Sequence, residues 1–79
     1  MNKKNNVCGV LVTVDPNNFN DLLNVLSEIN GCEVIESKGN NTIALVVEDT
    51  QENSAYDVME HIKNIPFVLS ISLINHFFE

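Results

Sequence analysis

Cys8, Cys32, His61 and His76 are the nucleophilic or metal-ligating side chains of this 79-residue sequence, and eleven carboxylates accompany them. Thiolate is the reactive and ligating form of cysteine, and a soft-metal or redox site usually brings two of them together as C-x-x-C. No such pair occurs, and each cysteine stands in an apolar run, Cys8 within Val7–Val14 and Cys32 at the head of Cys32–Ile35. Both therefore read as small core residues, free cysteine being among the most buried side chains. His61 follows Asp57 by four residues on what reads as a helix exterior, which is a solvated pair. Two isolated histidines do not make a metal site. Phosphoryl chemistry of the acylphosphatase kind would need an arginine to hold the anion, and the sequence has none. Neither a catalytic site, a metal nor a cofactor is expected.

Charge carries more information than any single residue. The formal net charge is −7, with four lysines against the eleven acids. A phosphate backbone demands clustered positive charge, so nucleic acid is excluded as a partner. A basic peptide would be drawn in by the same field. The hydrophobic fraction of 44% is that of a folded chain. No run approaches the roughly 20 apolar residues of a membrane span. Residues 1–6 are polar and lead directly into a strand-like segment without the apolar region of a signal peptide, so the expected location is the cytoplasm.

These residues need elements to position them. Val7–Val14 is a charge-free, β-branched run suited to a central strand covered on both sides. Asp15-Pro16 reads as an N-cap with proline in the first helical turn, and Phe19, Leu22, Leu23, Leu26 and Ile29 follow at helical spacing. Gly31 supplies the stop. Cys32–Ser37 is a more polar, edge-like strand, Gly39-Asn40-Asn41 a turn, and Thr42–Glu48 a third, nearly apolar strand. A second helix starts within Thr50–Ser54, capped by Thr50 or Ser54, and buries Ala55, Val58, Met59 and Ile62. Pro66 then imposes extended geometry on a last strand, in which Phe67, Leu69, Ile71 and Leu73 alternate with Val68, Ser70, Ser72, Ile74 and His76.

The order βαββαβ, with right-handed crossovers, predicts an α+β, ferredoxin-like split βαβ sandwich. It gives a tail over residues 1–6 and one domain over 7–79. The antiparallel sheet has the order 4-1-3-2, and both helices cover one face. Nothing remains to cover the other. The alternation assigns Val10, Val12, Val14, Val34, Ile43, Leu45, Val47, Leu69, Ile71 and Leu73 to the helix side. The open side receives Gly9, Leu11, Thr13, Glu33, Ile35, Ala44, Val46, Val68, Ser70, Ser72 and Ile74. A contiguous apolar surface of that kind marks a binding site. The plainer alternative is a dimer of stacked open sheets, as in small-molecule-sensing regulatory modules of this fold. A metabolite site there would want glycine-rich turns around a pocket, and only Gly39 lies in an interstrand turn. Aromatic residues on the first and third strands, which an RNA-binding domain of this fold would use, are missing.

Val7-Cys8-Gly9-Val10-Leu11-Val12, Gly31-Cys32-Glu33-Val34, Val46-Val47-Glu48 and above all the ending Val68-Leu69-Ser70-Ile71-Ser72-Leu73-Ile74-Asn75-His76 resemble the NapD family. The chain departs from the family pattern at Asn75, where tyrosine is usual, and at Phe67, where glycine is frequent. The resemblance implies a cytoplasmic assembly chaperone that binds the twin-arginine signal peptide of the periplasmic nitrate reductase catalytic subunit. Export would wait until the enzyme's cofactors are loaded, and the chaperone itself would hold none of them. On that reading the peptide lies across Leu11, Thr13, Ile35, Ala44, Val46, Val68, Ser70, Ser72 and Ile74, with His76 at the end of the row. Glu33 meets the arginines, with Glu48 and Asp49 behind it. A weak homodimer is compatible with it.

Overall fold

The two most apolar strands do come to lie side by side at the centre of the sheet. The structure is a computed structural model that describes residues 6–78, and the side chains of residues 6–74. Its elements are β1 (Asn6–Val14), a 3-10 turn (Pro16–Asn18), α1 (Phe19–Ser27), β2 (Cys32–Lys38), β3 (Thr42–Glu48), α2 (Ala55–Lys63) and β4 (Val68–Phe78). The sheet order is β2-β3-β1-β4, all pairs being antiparallel. This is the expected α+β arrangement. Of the six residues expected as a tail, Asn6 already belongs to β1, and residues 1–5 lie outside the described residues.

Local chemistry explains the boundaries. Asp15 caps the 3-10 turn by accepting from the Asn17 backbone N–H at 2.9 Å. Ser54, not Thr50, caps α2: its hydroxyl accepts from the Asp57 N–H at 3.0 Å. Thr50 instead closes the preceding turn, where its hydroxyl accepts from the Asn53 N–H at 3.1 Å. Asp49 ties three elements together. One carboxylate oxygen accepts from the Asn6 N–H and side-chain amide at 2.9 and 3.0 Å, and the other from the Ala55 N–H at 2.7 Å. A carboxylate at a helix start is favoured by the exposed N–H groups there. Gly31, at φ +88°, makes the turn into β2, and a Cβ there would meet the Glu48 carbonyl oxygen at 2.6 Å.

The core forms between the helices and one face of the sheet. Val10, Val12, Val14, Ile43, Leu45 and Val47 meet Leu22, Leu26, Ala55, Val58 and Ile62. All are essentially inaccessible to water. Cys8 and Cys32 lie on the helix-facing row on either side of Val47, one in β1 and one in β2. Two strand spacings put them roughly 9–10 Å apart, beyond disulfide reach. Burial raises the pKa of Cys8, with the charge of Asp49 adding to it. Burial alone pushes Cys32 up to about 11. Both thiols are protonated at neutral pH.

Candidate functional site

The face opposite the helices is built by alternation on the two central strands. Gly9, Leu11 and Thr13 of β1 stand beside Val46, Ala44 and Thr42 of β3, one pair per step. Their neighbours in sequence are buried on the other side. Ser72 and Ser70 of β4 lie opposite Leu11 and Thr13. Glu33 of β2 lies opposite Val46. Leu11, Thr13, Glu33, Ala44, Val46, Ser70 and Ser72 therefore share one face, as the alternation requires.

The edge strands depart from simple alternation at three inserted residues, each with an extra position that shifts the phase beyond it. In β2 the pairing passes from Val34 opposite Leu45 to Glu36 opposite Ala44, leaving Ile35 as the insertion. Ile35 is exposed but unassigned to either row. In β4, Val14 faces Val68 while Thr13 faces Ser70, so Leu69 is inserted. Val68 thereby joins the helix-facing row and packs against the core, whereas Leu69 is 64% exposed. The two exchange the roles that strict alternation gives them. Ile74 is the third insertion, between Leu73 opposite Val10 and Asn75 opposite Gly9. Beyond it the backbone of His76 pairs with that of Cys8. The His76 side chain lies outside the described residues. Leu73 keeps its helix-facing register but remains 59% exposed, because the helices do not reach the outer edge of β4.

Glu36 and Lys38 are brought onto the open face by the insertion at Ile35, opposite Ala44 and Thr42. Strict alternation would put Glu33 and Glu36 on opposite faces, which an edge strand exposed on both sides tolerates, so their spacing alone did not require the bulge. With Glu36 added, the open face is polarised. Glu33, Glu36 and Glu48 border it along β2 and the end of β3, Leu11, Ala44 and Val46 occupy its middle, and uncharged Ser70 and Ser72 border it along β4. A hollow of ≈ 280 Å³ lined by Leu11, Glu36, Ser37, Lys38, Thr42 and Ala44 lies on this face. A second, of ≈ 170 Å³, is formed by Gly31, Cys32, Glu33, Val46 and Glu48. Asp49 is not an available anchor behind Glu33, since its carboxylate serves Asn6 and the start of α2.

A different hollow, ≈ 340 Å³, opens between the end of α1 and the start of α2, among Glu28, Asn30, Glu52, Asn53, Asp57 and His61. Ile29 and Val58 also line it, so it is of mixed polarity, and it is remote from the open face. No group of three or more histidine, cysteine or acidic side chains among the described residues could hold a metal ion. No helix among them is long and apolar enough to cross a membrane.

The same chain architecture is found in a solved protein, described as the solution structure of the E. coli Tat proofreading chaperone protein NapD. That structure superimposes with a TM-score of 0.80 at 28% sequence identity, covering 100% of this chain and 84% of the other. Among curated proteins no match is found. The family model described as NapD protein matches residues 5–79. With essentially its whole length matched, the chain belongs to the NapD family.

Proposed function

We propose that this protein is a Tat-related chaperone that binds the twin-arginine signal peptide of the nitrate reductase catalytic subunit precursor across the open face of its sheet. By covering the peptide it holds back export until the enzyme has received its cofactors. The observation that carries this reading is the polarised, helix-free face itself: an aliphatic centre at Leu11, Ala44 and Val46 with, among the described residues, carboxylates on the β2 side only, beside the single Lys38. A twin-arginine signal peptide has the matching construction, a basic segment followed by an apolar one.

The apolar segment folds on binding, as an amphipathic helix laid over Leu11, Ala44 and Val46, with Thr13, Ser70 and Ser72 as a small-residue floor that lets it approach closely. Burying about 500 Å² of apolar surface gives on the order of 12 kcal/mol gross, most of which is offset by ordering the peptide and losing its free motion. The arginines face Glu33, Glu36 and Glu48. Exposed pairs of this kind add about 0–1 kcal/mol each and serve mainly to fix direction and speed encounter. Ile35 and Ile74, exposed at the two edges, extend the apolar contact for a segment longer than the sheet is wide. Val68 packs against the core instead of joining the open row, so it is assigned no central contact.

Isothermal titration with the precursor's N-terminal segment tests this reading. Saturable one-to-one binding that weakens when both arginines are replaced by glutamine supports it. Heat indistinguishable from dilution refutes it.

A further inference from the structure

The charges on the open face are ordered along its strands. Glu48 lies at the Val7 end of β3, Glu33 is level with Val46 and Gly9, Glu36 with Ala44 and Leu11, and Lys38 with Thr42 and Thr13. From the end of β3 to its start, the border therefore passes from two carboxylates, through a third, to a lysine. All four side chains are exposed. The two hollows divide in the same way. The one at Glu33 and Glu48 has two carboxylates and no base. The one at Glu36 also has Lys38 in its wall, together with Leu11 and Ala44.

We infer that the signal peptide binds in one direction, its arginines at the Glu33–Glu48 end of the face and its apolar helix running along β1 and β3 toward Lys38. This rests on the peptide reading above and adds which end goes where. Two separate effects select the direction. An arginine beside Glu33 and Glu48 meets two opposite charges, whereas beside Glu36 it also meets Lys38, which offsets the attraction. The second effect comes from the peptide helix, whose N-terminus carries the positive end of its macrodipole and whose C-terminus carries the negative end. Because the arginines precede the apolar segment, placing them at Glu33 and Glu48 also brings the helix N-terminus to carboxylates and its C-terminus to Lys38. The reversed peptide would set arginines against Lys38 and a helix C-terminus against two carboxylates. Lys38 thus acts mainly by disfavouring the wrong direction rather than by adding affinity. The lengths also agree. From Thr42 to Glu48 the strand spans roughly 20 Å, the rise of about 13 helical residues, and the apolar region of a signal peptide has about 7–15.

The test is paramagnetic broadening of the backbone amides of the full chain by a signal peptide carrying a nitroxide, either before its arginines or after its apolar segment. The first label is expected to broaden Glu33, Val46 and Glu48, and the second Lys38, Thr42 and Thr13. In Lys38→Glu both ends of the border are acidic, and each label is expected to broaden both sets. Glu33→Gln with Glu48→Gln is expected to raise the Kd about five- to tenfold, and Glu36→Gln less than about twofold. The opposite pattern in the wild type, or both sets broadened by each label, overturns the direction while leaving the peptide on this face. A Lys38→Glu chain that keeps a single direction overturns the selection by charge. Broadening confined to α1 and α2, or no binding, overturns the peptide reading and the direction with it.

Discussion

Leu11→Asp separates binding from folding. Leu11 lies in the middle of the open face between Ala44 and Ser72 and is still 37% exposed. Burying a whole leucine side chain stabilises by about 1.5–3 kcal/mol, so completing the burial of Leu11 contributes about 0.5–1 kcal/mol. The peptide group that covers it contributes a similar amount, and Leu11→Ala should therefore cost about 1–2 kcal/mol, or 5- to 30-fold in Kd. An aspartate adds the cost of drying a carboxylate with no partner, about 2 kcal/mol or more even after local rearrangement. The total of about 3–4 kcal/mol predicts a Kd raised by a few hundredfold. Folding should survive, because the substituted group points away from the helices and can stay hydrated in the free protein. Titration calorimetry with the signal peptide measures the loss, and circular dichroism with urea titration checks the fold. Asn24→Asp, exposed on α1, is the control for added charge and should bind normally. A Leu11→Asp protein that is folded and binds within threefold of wild type refutes the assignment of the peptide to this face.

The remaining expectations concern the acid border, the tight turn and the thiols. Glu33→Lys with Glu36→Lys should raise the Kd about tenfold, mainly by slowing association, and should flatten its salt dependence in stopped-flow measurements. Gly31→Ala combines a left-handed φ of +88° with a Cβ 2.6 Å from the Glu48 carbonyl oxygen, so urea unfolding should show a loss of at least about 2 kcal/mol. Gly39→Ala, at φ +60° with a Cβ in ordinary contact with Asn41 Oδ1 at 3.7 Å, should lose only about 1 kcal/mol. Cys32, with its pKa pushed from 9.0 to about 11, should be alkylated at pH 8 about 100-fold more slowly than in the unfolded chain. Because the folded state keeps this proton longer than the unfolded one, the associated stability is present below pH 9 and fades as pH rises through about 11. Allowing for the partial exposure of Cys32, the loss is about 1–2 kcal/mol, visible as a falling urea midpoint above pH 9.

Most of the architecture was legible because local chemistry and topology agree. β1 without charge and β3 with only its terminal Glu48 had to be central, and two helices could cover only one face of four strands; the glycine at position 31 serves the turn into β2, α1 having already ended at Ser27. The centre of the site followed from period-two alternation on those two strands, where no residue is inserted. At the edges the same rule failed. An insertion adds one residue to one strand, and nothing in a single aliphatic run such as Val68-Leu69 marks which of the two is extra. There the decision is made by pairing with β1, through Val14 opposite Val68 and Thr13 opposite Ser70. The Ile35 insertion is no more legible, because β2 is exposed on both faces and could have carried Glu33 and Glu36 on opposite sides. Asp49 was misjudged for another reason. Its role depends on the N–H of Ala55, a short loop away, and on Asn6, distant in sequence and brought to it only by the fold.

Backbone amide shifts followed by NMR while the unlabelled signal peptide is added test the central claim most directly. Large changes at Gly9, Leu11, Ala44, Val46, Ser70 and Ser72, with α1 and α2 unmoved, are the predicted outcome. Changes confined to α1, α2 or the hollow between them would contradict it.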